Sequence, residues 1–157
     1  MIIREATVSD VIELAHMIMA TIAKILRSGE TVKWDIPIDG TSLAISLNIL
    51  ITNPQKNCIV YIAEDEEDGI VGAIGGHIEP YIFNRQYLMA YASMRQSIVG
   101  AKISWKLIAA FEEWAKAHGA NAVILGERTA YTDRSLEPYM ESLGYNLGER
   151  MYLKEVI

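Results

Sequence analysis

The stretch Val99-Gly100-Ala101-Lys102-Ile103-Ser104 sets a glycine, other small residues and a lysine directly ahead of a long amphipathic pattern. A helix start presents unpaired N–H groups and the positive end of the macrodipole, so such a turn suits a phosphate. Gly100 lets a ligand come close to the backbone, and Lys102 adds a positive charge. Glycine before a helix is more often only a turn, so this motif alone leaves both readings open. Proton transfer has its own candidates. Glu79, Glu127 and Asp133 fall in expected loops or strand ends, and His77 stands close to Glu79. Carboxylates and imidazoles are the groups that take protons in general base catalysis. A carboxylate so placed is more often a solvated surface group, and a lone histidine at a strand end is more often structural. His16, His77 and His118 are too scattered for a metal site, and the single Cys58 gives neither a disulfide nor a thiolate cluster. No metal is expected.

These residues need elements to position them. Ile2-Ile3-Arg4 forms a short first strand, and Thr7-Val8-Ser9-Asp10 supplies side-chain acceptors for a helix start. Val11, Leu14, Ala15, Ile18, Ile22, Ile25 and Leu26 then recur at helical spacing as far as about Gly29. Thr31 to Gly40 is a loop, and Ser42 to Thr52 a second helix stopped by Asn53-Pro54. Cys58 to Ala63 and Ile70 to Ile78 flank the acidic turn Asp65-Glu66-Glu67-Asp68-Gly69, the pattern of an antiparallel hairpin. Cys58 there is most simply a small buried hydrophobe, and Met17, Met19, Met89 and Met94 are core fillers. Glu79 to Gln86, with Pro80, is expected to be a loop, and Tyr87 to Met94 a further strand. Ile103 to His118 is helical, with Leu107, Ile108, Phe111, Trp114 and Ala115 on one face and Gly119 as its stop. Asn121 to Leu125 is a compact strand, Arg134 to Leu143 a shorter helix, and Tyr145 to Val156 holds one or two last strands. The strand-helix-strand unit from Tyr87 to Leu125 predicts a crossover joining parallel strands. The whole is one mixed α/β domain.

Bulk properties narrow the function. The chain has 157 residues, 51% hydrophobic and 22% charged, which is the size and composition of one folded domain rather than a disordered segment. No apolar run reaches the roughly 18 residues of a membrane span, and MIIREATVSD does not resemble a signal peptide. A cytoplasmic protein with no membrane partner is therefore expected. The net charge of −6 argues against nucleic acid as a partner and mildly suits a cationic substrate. A phosphotransferase of the P-loop type is disfavoured because no GxxxxGK[ST] occurs.

Strand, small-residue turn, a helix ending in FEEWAKAHGA and then the strand NAVIL resemble the acyl-CoA-binding core of the GNAT N-acetyltransferase superfamily. IREATVSDVIELAHMI is similar to the family's first strand and helix. EPYMESLGYNLGERMYLKEV resembles its closing segment, in which a helix carries a tyrosine five residues before Gly144. The chain looks closest to the short GNAT-like proteins often encoded by phages. The resemblance implies a single GNAT-like domain over residues 1–157, α/β in class. Its sheet would be mostly antiparallel, with a parallel strand-helix-strand core and helices on both faces.

The function so implied is direct transfer of an acetyl group from acetyl-CoA, the acyl-donor cosubstrate, to the amine of a small molecule or peptide. The pyrophosphate would rest on the main chain of Val99, Gly100, Ala101, Lys102, Ile103 and Ser104. The thioester carbonyl would face the main chain of Met94, and Thr132 stands where relatives contact CoA, a plain helix cap being equally open. Tyr139 matches the general acid, since a phenol keeps its proton at neutral pH and can supply a leaving thiolate. The strand Tyr87 to Met94 has no carboxylate where relatives often place a base, so Glu79 is taken as the candidate, with Glu127, Asp133 and His77 still open. Trp34, Asp35 and Asp39 fall in a region that covers the acceptor in this superfamily. Homodimers are frequent there too.

The match departs from the family at the turn, usually Arg or Gln, two residues, Gly, one residue, then Gly or Ala. Counting back from Trp114 without gaps sets Val99, Lys102 and Ser104 at the three marked positions. A register one helical turn earlier uses Arg95 to Gly100 but needs four extra residues in the helix. Both lose the first glycine. A catalytically silent binding or structural module of the same fold is therefore the alternative.

Overall fold

In the computed structural model, residues 1–27, 38–97, 101–126 and 137–147 are described. The elements run β1 (Ile2–Glu5), a 3-10 turn (Val8–Asp10), α1 (Val11–Arg27), α2 (Gly40–Thr52), β2 (Cys58–Asp65), β3 (Gly69–Tyr81), β4 (Asn84–Ser97), α3 (Ala101–Ala117), β5 (Ala122–Leu125) and α4 (Glu137–Ser142). The strands form one sheet in the order β1-β2-β3-β4-β5. All neighbours are antiparallel except β4 and β5, which pair in parallel from Met89↔Ala122 to Ala92↔Leu125. The mixed α/β architecture and the parallel strand-helix-strand unit expected from sequence are both present.

Each face of the sheet carries its own core. On one, Val11, Leu14, Ala15, Ile18 and Ile22 of α1 and Leu47 of α2 pack on Val60, Ile62, Ile70 and Ala73. On the other, Ile103, Leu107, Ile108, Phe111, Trp114 and Ala115 of α3 pack on Ala63, Val71, Ile74, Ile78 and Ala90. The three-four spacing in both helices thus marked the buried stripes. Side chains such as Phe111 and Leu14, which are fully buried, each contribute about 1.5–3 kcal/mol by leaving water.

Local chemistry fixes the ends. Asp10 closes the start of α1: its Oδ2 accepts from Thr7 N at 2.7 Å and from Thr7 Oγ1 at 2.8 Å. Gly69 takes a positive φ of 69° in the acidic β2–β3 turn, where the next N–H, of Ile70, donates to Glu13 Oε1 at 2.8 Å. Gly119, at φ 79°, ends α3, and Asn121 then locks β5 onto β4. Its N–H donates to Leu88 O at 2.8 Å while its Oδ1 accepts from Leu88 N at 2.8 Å.

One expectation is overturned. Glu79 to Gln86 is not a loop, because β3 runs on to Tyr81 and β4 begins at Asn84, leaving only Ile82-Phe83 as the turn. No described helix covers this outer hairpin, and residues 79–87 are all exposed. Without a buried face there is no alternation to read, and Pro80 suggests a break. The ladder bends there instead, with a register shift between Pro80 and Tyr81. The closing strands expected in Tyr145 to Val156 lie outside the described residues from position 148 onward.

Candidate active site

The feature that shapes the site is a bulge in β4. Gly75 pairs with Met94 and Gly76 with Ala92, so Ser93 has no partner of its own on β3. Gly76 is required here. A Cβ on it would run into the carbonyl oxygen of Tyr91, a backbone atom that cannot swing aside. At Gly75 the absent side chain makes room for the Met94 methyl, which would lie 3.2 Å from an added Cβ. On the other side β5 stops at Leu125, opposite Ala92. From Ser93 onward, β4 therefore continues with no parallel partner among the described residues.

The helix that follows begins at Ala101, two residues before the start expected from the apolar pattern. Ala101, Lys102, Ile103 and Ser104 make up its first turn, where the N–H groups have no helical acceptor, and no acidic residue lies there to repel an anion. Ile103 is buried against the sheet, so only its main chain faces this end. Ser104 is half-buried. Val99 and Gly100 lie outside the described residues, as do Trp34, Asp35, Glu127, Thr132 and Asp133. Arg95 to Ser97 belong to β4, paired with Ile74 to Gly72, rather than to a turn.

Tyr139 stands in α4, with Pro138 beside it at the second position of the described helix, where a missing N–H costs nothing. Its hydroxyl is buried and has no hydrogen-bond partner among the described residues. Buried phenols ordinarily find one. The helix itself is well held. Gly144, at φ 83°, ends it, Leu143 and Tyr145 pack into the α3 core, and Tyr145 Oη donates to Glu112 Oε1 at 2.6 Å.

Glu79 lies on the outer part of β3, exposed, with its Oε2 3.7 Å from Nε2 of His77. His77 stacks on Tyr91 across the ladder, with ring centroids 5.6 Å apart and planes within 18°. The Tyr91 hydroxyl in turn points to Met89 Sδ at 3.4 Å. Sequence reading passed over Tyr91, since nothing in a strand of mixed tyrosines and alanines marks one ring as a histidine's partner. Asp39, a candidate for an acceptor cation, instead caps α2: its carboxylate accepts from Ser42 N at 3.1 Å and Thr41 N at 3.3 Å. Cys58 is not fully buried as expected. It is partly exposed, and its Sγ accepts from Asn53 Nδ2 at 2.9 Å. Met17 is buried and Met94 packs against the α1–α2 core, as gap-filling methionines should.

Among the described residues no group of His, Cys, Asp and Glu could hold a metal ion, and no helix is long and apolar enough to cross a membrane. Each feature has its own chemistry: a helix start without acid suits an anion, and a buried phenol with no partner among the described residues can give up a proton.

Solved structures share this architecture over nearly the whole chain. A transcriptional regulator from Bacillus halodurans has a TM-score of 0.73 at 23% identity, with 99% of both chains covered. A predicted acetyltransferase from Clostridium acetobutylicum, solved with acetyl-CoA, gives 0.71 at 14% identity, covering 98% of this chain and 95% of its own. Glucosamine-6-phosphate N-acetyltransferase from Arabidopsis thaliana gives 0.67 at 14% identity, covering 98% and 97%. At such identities the likeness establishes the fold. No curated protein matches the sequence. The model of the acetyltransferase (GNAT) family matches residues 20–145, most of the sequence, and the chain therefore belongs to the GNAT acetyltransferase family.

Proposed function

We propose that the protein transfers an acetyl group from acetyl-CoA directly to an amine. The observation that carries this reading is the Tyr139 hydroxyl, buried and without a hydrogen-bond partner among the described residues. Leaving a buried donor unpaired costs about 1–3 kcal/mol, so its retention fits a partner that arrives with the substrate. Bound acetyl-CoA supplies an activated acyl group and a thiolate as leaving group. In this reading the main chain at Met94, beside the bulge, takes the thioester carbonyl as it gains negative charge. The N–H groups of Ala101 to Ser104, together with Val99 and Gly100, hold the pyrophosphate, and Thr132 makes a further CoA contact. Tyr139 gives its proton to the departing sulfur.

The fit favours the ungapped register of the turn. Arg95 to Ser97 are taken up in β4, whereas Ala101 to Ser104 open the helix. Glu79 supplies negative charge toward the acceptor, a small-molecule or peptide amine that is cationic before it reacts. We place the protein in the cytoplasm, without nucleic-acid or membrane partners, and with a homodimer as a possible assembly of the family kind. The resemblance to phage-encoded members belongs to the same proposal.

The test is direct. Calorimetry with acetyl-CoA is expected to give saturable binding, and a panel of primary amines to release CoA thiol. Binding without turnover on any amine would favour a catalytically silent module of the same fold, and no acetyl-CoA binding together with a stable macromolecular complex would favour it more strongly.

A further inference from the structure

We infer that His77 is the group that takes the proton from the attacking amine, with Glu79 as its positioning residue. This rests on the acetyl-transfer reading above and names the base for that same site.

Position comes first. Side chains alternate along a strand, so Gly75, His77 and Glu79 share one face of β3. Gly75 lies opposite Met94, at the bulge. His77, about 7 Å further along, is the first ionisable side chain beyond the bulge on that face, and Glu79 the second. The face is the one that α1 and α2 cover, since Val60, opposite Gly75, is buried in their core. The next row outward is Cys58, His77 and Tyr91, directly opposite one another on β2, β3 and β4. The His77 side chain is 35% exposed, open to a solute yet backed by protein.

The chemistry follows from the neighbours. The imidazole plane is set by stacking on Tyr91. The Glu79 carboxylate lies by Nε2, which favours the tautomer carrying its proton there. Nδ1 then keeps a lone pair and has no hydrogen-bond partner among the described residues. At 3.7 Å the His77–Glu79 contact is too long for a strong hydrogen bond and tightens when the ring gains charge. Among the described residues facing the ring, Cys58 is engaged with Asn53 and the Tyr91 hydroxyl with Met89. The whole of α2 carries no ionisable side chain, and His16 on α1 is exposed on the outer side of that helix. Imidazole changes charge between about pH 5 and pH 8, which suits a base working near neutrality; an exposed carboxylate is a weak one.

The proton count closes. An ammonium R–NH3+ gives one proton to Nδ1 of neutral His77, leaving R–NH2 to attack the thioester carbon. The N–C bond forms and the C–S bond breaks. The sulfur takes the Tyr139 proton, the amide nitrogen gives up its second proton to restore the phenol through solvent, and His77 releases the first to water. One proton is lost overall and one ends on sulfur.

The experiment compares the wild type with His77→Gln and Glu79→Gln. Acetyl-CoA affinity and thermal midpoint are measured first, then kcat and kcat/KM for an amine substrate from about pH 5 to about pH 9. His77→Gln is expected to keep the acetyl-CoA Kd and the melting midpoint, lose about 10²-fold in kcat, and lose the acidic limb of the kcat/KM profile. Glu79→Gln is expected to keep the limb and lose about tenfold. A His77→Gln enzyme with the wild-type rate and limb overturns the inference while leaving acetyl transfer intact. So does a limb that vanishes only in Glu79→Gln, which would make the carboxylate the base. A wild type that neither binds acetyl-CoA nor acetylates any amine overturns the parent reading, and this inference with it.

Discussion

Two polar clusters on this sheet are built in opposite ways. At the β1–α1 corner, Arg4 forks onto Asp10, with Nη1 to Oδ2 at 2.9 Å and Nη2 to Oδ1 at 2.8 Å, while its Nε donates to Glu64 Oε2 at 2.7 Å. Asp10 also takes two hydrogen bonds from Thr7. Both Asp10 oxygens and three guanidinium nitrogens are engaged there. Hydrogen bonding to Arg4 holds the buried Asp10 carboxyl far below the usual carboxylate range, and lowers that of Glu64 too. On outer β3 the reverse holds. His77 and Glu79 sit 3.7 Å apart, and in α4 the Tyr139 hydroxyl is likewise buried with no hydrogen-bond partner among the described residues. Saturated groups serve the fold. Groups left unsatisfied by the fold are available to a substrate, and the difference is visible without any ligand.

The comparison can be broken most severely at the bulge itself. Gly76→Ala drives a Cβ into the Tyr91 carbonyl and should cost about 3 kcal/mol in a urea titration; a neutral change would mean the strands are not locked together there. Next, Tyr139→Phe separates the two kinds of group. Turnover should fall about 10²-fold, while the melting point holds or rises, since an unpaired buried hydroxyl is removed. A clear fall in stability with unchanged turnover would place Tyr139 on the structural side.

Asp10→Asn should do the opposite, costing about 2 kcal/mol at pH 7 with kcat unchanged. Its sign with pH follows from the depressed carboxyl. Asp10 stabilises the fold fully above its unfolded pKa, near 4, and that stability is lost as pH falls toward the native value. The wild type should therefore lose more stability than Asp10→Asn between about pH 5 and about pH 2, as read by denaturant midpoints. The smallest effect is expected at Tyr145→Phe. Losing the 2.6 Å bond to Glu112 should cost about 1 kcal/mol, and any accompanying fall in kcat would report on how firmly α4 holds Tyr139.

Legibility in the sequence tracked burial. The α3 stripe Leu107, Ile108, Phe111, Trp114 and Ala115 was plain because one face of that helix is wholly inside. The parallel pairing of β4 with β5 followed from chain order alone, as a helix must cross between them. The outer hairpin was missed because its exposed residues obey no period, and Pro80 argued for a loop that the backbone does not make. Asp39 suggested a cation site and proved to be a cap, since one aspartate serves either purpose until its neighbours are known. Gly75-Gly76 gave no signal in sequence; their purpose is set by Tyr91 and Met94, which arrive from another strand.

By itself, the order of residues determined the two buried helix faces, the strand succession and the family, because periodicity and short-range chemistry are properties of a local window. Only the tertiary structure decided which polar groups are satisfied. Arg4 reaches Asp10 and Glu64 and His77 meets Tyr91 across strands, while the buried Tyr139 hydroxyl has no partner among the described residues. A sequence window specifies which donors and acceptors exist. Whether each finds its complement depends on where the sheet and its helices bring the rest of the chain.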